Sequence, residues 1–191
     1  MGLKNRFSQL LSLRKINSLV LLVIILLLLH HAVSSLLYLS GIIAYSPSLK
    51  ATGRRLFLWL LLHIVISLYL YVRDWYNQRG FNRYDHIRSE TKRQIISGIA
   101  VIVFVILHMV TYHASPVSVV IYRINIVHFI VDNLLFASLF VHLQVSIPRL
   151  LMSFGFLKEE NSYQRASQIT TKTLVVVFIL ILLIELIYYI I

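Results

Sequence analysis

The sequence predicts an all-α membrane protein, a bundle of five transmembrane helices. Hydrophobic residues make up 59% of the 191 residues and the mean hydropathy is +0.82, which no soluble domain of this size requires. In addition, five separate apolar segments are each long enough to cross a bilayer, which takes roughly 20 residues. In chain order, the predicted helices cover approximately residues 18–44, 56–72, 95–112, 124–147 and 173–191.

The first segment could be mistaken for a secretory signal peptide. Its apolar stretch exceeds the 7–15 residues of such a segment, and it lacks a small-residue cleavage site, so we interpret it as a retained helix. Aromatic residues typical of membrane interfaces flank the second segment, at Trp59 and Trp75–Tyr76, and the fifth, at Tyr188–Tyr189. Little sequence remains between the segments, which predicts one membrane domain over residues 1–191 and no soluble domain.

The basic residues are distributed asymmetrically. Most of the 18 lysines and arginines lie in the N-terminal tail and in the second and fourth connections, which five helices place on one side of the membrane. The positive-inside rule predicts that this side, with the N-terminus, is cytoplasmic and that the C-terminus is outside, in a cell-membrane protein. Although the net charge is +11, this distribution indicates that the basic residues contact lipid headgroups rather than nucleic acid. The cytoplasmic set is Lys4, Arg6, Arg14, Lys15, Arg73, Arg79, Arg83, Arg88, Lys92, Arg93, Arg149, Lys158, Arg165 and Lys172, against Lys50, Arg54, Arg55 and Arg123.

Four of the apolar segments each contain a histidine, at His31, His63, His108 and His142. An ionisable ring is costly in hydrocarbon, and one on each of four helices calls for a shared function. Two b-type haems, each held between imidazoles from two helices, would supply it. With no cysteine in the chain, disulfides, thiolate zinc sites and iron–sulfur ligation by this chain are excluded.

Depth in the membrane predicts how the histidines pair. At about 1.5 Å per residue from the nearest cytoplasmic basic residue, His31 and His108 lie about 24 and 22 Å up. His63 and His142 lie lower, at about 15 and 10 Å. This predicts that His31 and His108 ligate a distal haem iron and that His63 and His142 ligate a proximal one, offset by roughly 10 Å. His30 is the alternate ligand in the first helix, because only one of two adjacent residues can face the bundle centre.

Two carboxylates also lie within the apolar segments. Asp132 precedes His142 by ten residues, which places it near the height of the distal pair, and Glu185 lies in the same outer half. Either could relay protons to a quinone, whose reduction consumes two protons with two electrons, and His113 and His128 would complete an outer quinone pocket. The alternative is that Asp132 with Asn133 makes interhelical hydrogen bonds and that Glu185 is neutral near the outer interface.

The largest predicted cytoplasmic connection is residues 73–93. Its segment Arg83-Tyr84-Asp85-His86 is either a solvated loop near anionic headgroups or a docking surface for a cytoplasmic partner. A membrane bundle with redox cofactors and no soluble domain needs such a partner to carry out substrate chemistry. On its own the chain is therefore predicted to transfer electrons, which leaves its classification as an enzyme undecided.

The chain resembles the cytochrome b membrane subunit of succinate dehydrogenases and fumarate reductases, in the single-chain, five-helix, di-haem form. Ser97-Gly98 precedes His108 as the Thr/Ser-Gly of that family precedes its third-helix histidine, and Gly155 with Tyr163-Gln164-Arg165 resembles the segment after the fourth-helix ligand. Residues 14–18 resemble the basic entry to helix one. The pattern departs from the family at Asn17, where a histidine is usual, and at Ser146, where a glycine is usual.

This resemblance implies the same haem pairs, with menaquinone as the expected quinone. It also implies an iron–sulfur subunit and an FAD flavoprotein subunit on the cytoplasmic side, in a respiratory complex that carries out the dicarboxylate chemistry. Three alternatives remain open: the di-haem quinone subunit of another oxidoreductase, a membrane anchor without haem, and a transporter. Transporters usually show internal repeats and broken helices, which we do not find in the sequence.

Overall fold

A computed structural model describes residues 3–76, 85–113 and 121–190, with side chains described within 13–74, 89–112 and 126–189 and at Tyr76. All regular secondary structure in these ranges is α-helical, and the five helices found there are all long and apolar enough to cross a membrane. The all-α, multi-pass fold predicted from the sequence is therefore confirmed. The helices are α1 (Leu3–Leu39), α2 (Pro47–Tyr76), α3 (Asp85–His113), α4 (Ile121–Ser153) and α5 (Glu160–Ile190).

The helices do not coincide with the apolar segments from which they were predicted. α1 begins at Leu3 and ends at Leu39, whereas the sequence predicted residues 18–44. It ends there because Gly41 adopts a left-handed conformation, with φ 73°, and its N–H donates to the carbonyl of Tyr38. Intrahelical hydrogen bonds continue into polar sequence, so a helix can extend beyond the apolar stretch that identifies it.

α4 likewise continues past its predicted end at Ile147. Pro148 lies inside the helix and is fully buried, although the sequence placed it at a helix end. The helix ends at Ser153, and Gly155 follows with φ 81°. The N–H of Gly155 donates to the carbonyl of Met152, which closes the last turn.

The described helices form two compact units, and the first consists of α1 packed against α2. The two helices run antiparallel. At one end Arg14 donates to both carboxylate oxygens of Asp74, with the shorter distance 3.0 Å. Between the helices, the buried apolar side chains are Val20, Ile24 and Leu70.

The second unit consists of α3, α4 and α5, with α4 packed against both of the others. Near one end, Arg149 of α4 donates to Gln94 Oε1 of α3 at 2.6 Å and to Glu90 Oε2 at 3.3 Å. Tyr163 of α5 also donates to Glu90, at 3.0 Å, so one carboxylate joins all three helices. The buried apolar side chains of this unit are Val101, Val131, Leu135, Val145, Leu150 and Ile181.

Large apolar side chains cover the outside of both units. Leu26, Leu58 and Val65 are each more than half exposed in the first unit, as are Ile96 and Ile99 in the second. Exposed apolar surface on this scale is unsuited to water but suited to lipid acyl chains. The surface therefore agrees with the five apolar helices in indicating a multi-pass membrane protein.

Candidate functional site

The four histidines singled out by the sequence lie on four helices and are all half-buried. His31 and His63 belong to the first unit, on α1 and α2, and His108 and His142 belong to the second, on α3 and α4. Each predicted haem pair thus takes one histidine from each unit, and the pairing stays a prediction. What the structure does describe is the surroundings of each imidazole within its own unit.

His63 is held by α1. Its Nδ1 lies 3.0 Å from Oδ1 of Asn17, and the amide of Asn17 also donates to Ser67 Oγ at 3.3 Å. An amide oxygen can only accept a hydrogen bond, so Nδ1 of His63 carries the proton. Asn17 of α1 is therefore the residue that orients the imidazole of His63 on α2.

His142 is held in the same way by α3. Its Nδ1 lies 3.1 Å from the backbone carbonyl oxygen of Gln94 and 3.3 Å from Ser97 Oγ. The carbonyl is again an obligate acceptor, so Nδ1 is the protonated nitrogen. The side chain of Gln94 donates to Ser146 Oγ at 2.9 Å. Ser146 follows His142 by one turn of α4, so Gln94 contacts α4 through both its backbone and its side chain.

His108 has a carboxyl group as its partner. Its Nδ1 lies 2.6 Å from Oδ1 of Asp132 on α4, and the Asp132 side chain is only 5% exposed. Oδ2 of the same carboxylate accepts a bond from the Tyr112 hydroxyl at 3.2 Å, and that hydroxyl lies 2.6 Å from the hydroxyl of Tyr189 on α5. Asp132 therefore lies level with His108, and its height relative to His31 stays a prediction.

These three histidines therefore share one tautomer. Each has Nδ1–H bonded to an oxygen of the neighbouring helix, so Nε2 is the basic nitrogen that could bind a metal. Axial haem ligation by two imidazoles uses this arrangement, with the outer ring nitrogen donating to a protein acceptor. Among the described side chains no group of three or more metal-binding residues converges on one point, whereas a haem iron needs only two.

Two glycines bring histidines close to a neighbouring helix. A Cβ at Gly53 of α2 would lie 3.2 Å from Cε1 of His31, and a Cβ at Gly98 of α3 would lie 3.2 Å from Cε1 of His142. A methyl group at either position would require the imidazole to move by a few tenths of an ångström, and a larger side chain would displace it further. The glycines thus leave each ring a fixed space between two helices, as a rigidly oriented ligand requires.

The contacts also place the histidines of each unit at two levels. His31 of α1 lies level with Gly53 of α2. Gly53 precedes His63 on α2 by ten residues, which is roughly 15 Å of helix rise. In the second unit, His108 lies level with Asp132, again about ten residues or roughly 15 Å from His142. Each unit therefore holds its two histidines at different levels, separated by about ten residues along α2 in the first unit and along α4 in the second.

His30, the alternate ligand, has different surroundings from His31. It is exposed on its own unit and lines a cavity, whose other lining residues are Ser34, Tyr38, Ile43, Ala44, Ser46, Ser48 and Leu49. His31 instead turns toward Gly53 of α2. Of these two histidines, His31 is thus the one that packs between α1 and α2.

The two membrane carboxylates lie in one polar cluster of the second unit. Glu185 of α5 is 2% exposed, and its Oε2 accepts a bond from Asn133 Nδ2 at 2.8 Å. His128, also buried, packs edge-on to Tyr112 with ring centroids 4.5 Å apart. Asp132 and Asn133 therefore do make the interhelical hydrogen bonds that the sequence offered as the alternative to proton relay. We call Tyr112, His128, Asp132, Asn133, Glu185 and Tyr189 the carboxylate cluster.

Some site residues were missed from the sequence, and some predicted ones lie outside the description. Tyr189 was interpreted only as an interface anchor, and Gly53 was not considered. The signal for Gly53 was its spacing, because it precedes His63 by the same ten residues that separate Gly98 from His108. Two predicted features, the side chain of His113 and the docking segment of residues 83–86, lie outside the described side chains.

Comparisons of the chain with protein-family models, with curated proteins and with solved structures found no match. The fold and the contacts define a five-helix membrane protein with oriented histidines within its helix pairs. The function proposed below is argued from these residues.

Proposed function

We propose that the chain is the di-haem b membrane subunit of a quinone oxidoreductase, of the succinate dehydrogenase and fumarate reductase type. His31 and His108 would ligate the distal haem, and His63 and His142 the proximal one. The observation that carries this proposal is that Nδ1 of His63, His108 and His142 each lies within hydrogen-bond distance of an acceptor oxygen on a neighbouring helix, which leaves Nε2 as the basic nitrogen. A haem iron with two imidazole ligands takes up and releases one electron without a change of ligands.

A role in helix packing alone would explain the hydrogen bonds but not the rest of the pattern. Interhelical bonds from serine, asparagine or glutamine would join the helices without an ionisable ring. The glycines opposite His31 and His142, and the similar spacing of the two levels in both units, are properties that ligands need. These features favour haem binding over a membrane anchor that binds no cofactor.

The remaining parts of the proposal concern orientation and partners. The basic residues favour a cytoplasmic N-terminus in the cell membrane, with iron–sulfur and FAD flavoprotein subunits bound on the cytoplasmic side. Quinone, with menaquinone the expected form, would react at the outer level, where Asp132 and Glu185 are the candidate proton relays. Succinate or fumarate chemistry would belong to the flavoprotein and not to this chain.

Reduction by a quinol tests the electron-transfer role. The purified, haem-loaded chain in detergent is mixed anaerobically with a reduced menaquinone analogue, and the haem α band is followed in time. We expect reduction of haem by the quinol, because the proposed function requires direct exchange between the two. Reduction by dithionite but not by quinols of a range of potentials would contradict the quinone role while leaving haem binding intact.

A further inference from the structure

We propose that Asp132 sets the redox potential of the haem bound by His108, by making the imidazole a stronger electron donor to the iron. This inference rests on the proposed haem function and assigns within it a specific role to one carboxylate. Asp132 would not touch haem, so it is a positioning and tuning residue that acts through His108.

The geometry of Asp132 suits this role. Its Oδ1 lies 2.6 Å from Nδ1 of His108, which is a short hydrogen bond, and only 5% of its side chain is exposed. The Tyr112 hydroxyl donates to Oδ2 at 3.2 Å and fixes the carboxylate from its other side. Tyr189 in turn holds the Tyr112 hydroxyl, so contacts from α5 support the orientation of a side chain on α4 toward α3.

His63 and His142 have acceptors of a different charge. The oxygen next to His63 belongs to the neutral amide of Asn17, and the oxygen at 3.1 Å from His142 belongs to the backbone carbonyl of Gln94. Of these three histidines, His108 therefore alone donates to a carboxylate. The position that corresponds to Asp132 in the first unit is Asn17, and the two side chains are nearly isosteric.

The difference in charge has a direct chemical consequence. A carboxylate attracts the Nδ1 proton more strongly than an amide or a carbonyl, which raises the electron density and basicity at Nε2. A more basic axial ligand stabilises ferric over ferrous iron and so lowers the midpoint potential. A buried carboxylate acts more strongly than an exposed one, because little water screens its charge.

A reciprocal exchange tests the inference. Asp132→Asn removes the charge beside His108, and Asn17→Asp introduces one beside His63. In potentiometric titrations of the haem-loaded proteins, we expect Asp132→Asn to raise one midpoint and Asn17→Asp to lower the other. At fixed solution potential, we expect each change to alter the oxidised-to-reduced ratio of its own haem by about tenfold, the lower end of the effects that outer-shell partners have on metal affinity or activity. Electron paramagnetic resonance of the ferric state should show a shifted low-spin signal for the same haem.

The outcomes are distinguishable from failure of the proposed function. A wild-type chain that binds no haem contradicts the function itself. Asp132→Asn with both haems retained and both midpoints unchanged overturns the inference alone. Asp132→Glu, which keeps the charge, should restore the wild-type midpoint, whereas a purely structural role predicts no such rescue. If Asp132→Asn fails to retain haem, Asn17→Asp decides, and an unchanged midpoint in that variant overturns the inference.

Discussion

Replacement of His63 or His142 by alanine is expected to reduce the haem content from two per chain to one. Both variants should lose the same haem, because each removes one of two axial ligands to one iron. His31→Ala and His108→Ala should both lose the other haem. The measurement is the pyridine haemochrome of each purified variant, together with its reduced-minus-oxidised spectrum.

Double variants test the pairing. His63→Ala with His142→Ala should lose no more haem than either single change, whereas His63→Ala with His108→Ala should lose both haems. His30→Ala is the matched control, since its exposed ring lies next to His31 in sequence, and it should retain two haems. Two haems in the His63/His142 double variant would contradict the pairing, and haem loss from His30→Ala but not from His31→Ala would exchange those two residues.

Leucine at Gly98 or Gly53 is expected to have the next largest effect. Even a Cβ at these positions would lie 3.2 Å from an imidazole carbon, so a branched side chain must displace the ring. Overpacking of this kind costs about 1–3 kcal/mol and would separate His142 Nδ1 from its acceptor. Gly98→Leu should therefore lose the haem that His142→Ala loses, and Gly53→Leu the haem that His31→Ala loses, as judged by the spectra of the remaining haem.

The control for this prediction lies next to Gly98. Ile99 is 58% exposed, so Ile99→Leu changes apolar shape on the same turn of α3 without approaching His142, and it should retain both haems. Gly98→Ala should be milder than Gly98→Leu, because a single methyl group requires the ring to move by only a few tenths of an ångström. Wild-type haem content in both leucine variants would show that the imidazoles have no fixed position.

The fold was predictable from the sequence because apolar composition and segment length are enough to identify a membrane helix. The ends of the helices were less predictable, since α1 and α4 each end two residues before a left-handed glycine rather than where hydropathy falls. Pro148 shows the same limit, as it lies within α4 and leaves the helix continuous around it. Apolarity locates the part of a helix that lies in lipid, and backbone hydrogen bonding determines how far the helix extends.

The sequence predicted that Asp132 and His108 lie at the same height, but it did not predict the hydrogen-bond partner of His63. Counting residues placed Asp132 level with His108, and the structure brings the two side chains into contact. The predicted vertical offset of roughly 10 Å between the two pairs stays a prediction, because each pair takes one histidine from each unit. That Asn17 orients His63 was not predictable, since interhelical contacts depend on helix rotation and register as well as height.

The repeated spacing between glycine and histidine is the clearest signal in the sequence that we did not use. In α2 and α3 alike, ten residues separate the glycine from the histidine that follows it. The structure explains this spacing, since each glycine receives the imidazole of the neighbouring helix at one level while its own helix presents a histidine at the other. The helix pairs α1–α2 and α3–α4 thus use the same glycine–histidine spacing to pack an imidazole between their helices.

The haem stoichiometry of the purified wild-type chain tests the central claim most directly. The chain is expressed with ample haem supply, purified in detergent, and assayed by pyridine haemochrome against its protein concentration. Two b-type haems per polypeptide are the predicted result, one for each level of histidines. A chain that folds into its five helices and binds no haem would contradict the account, and the four histidines would then serve to join helices.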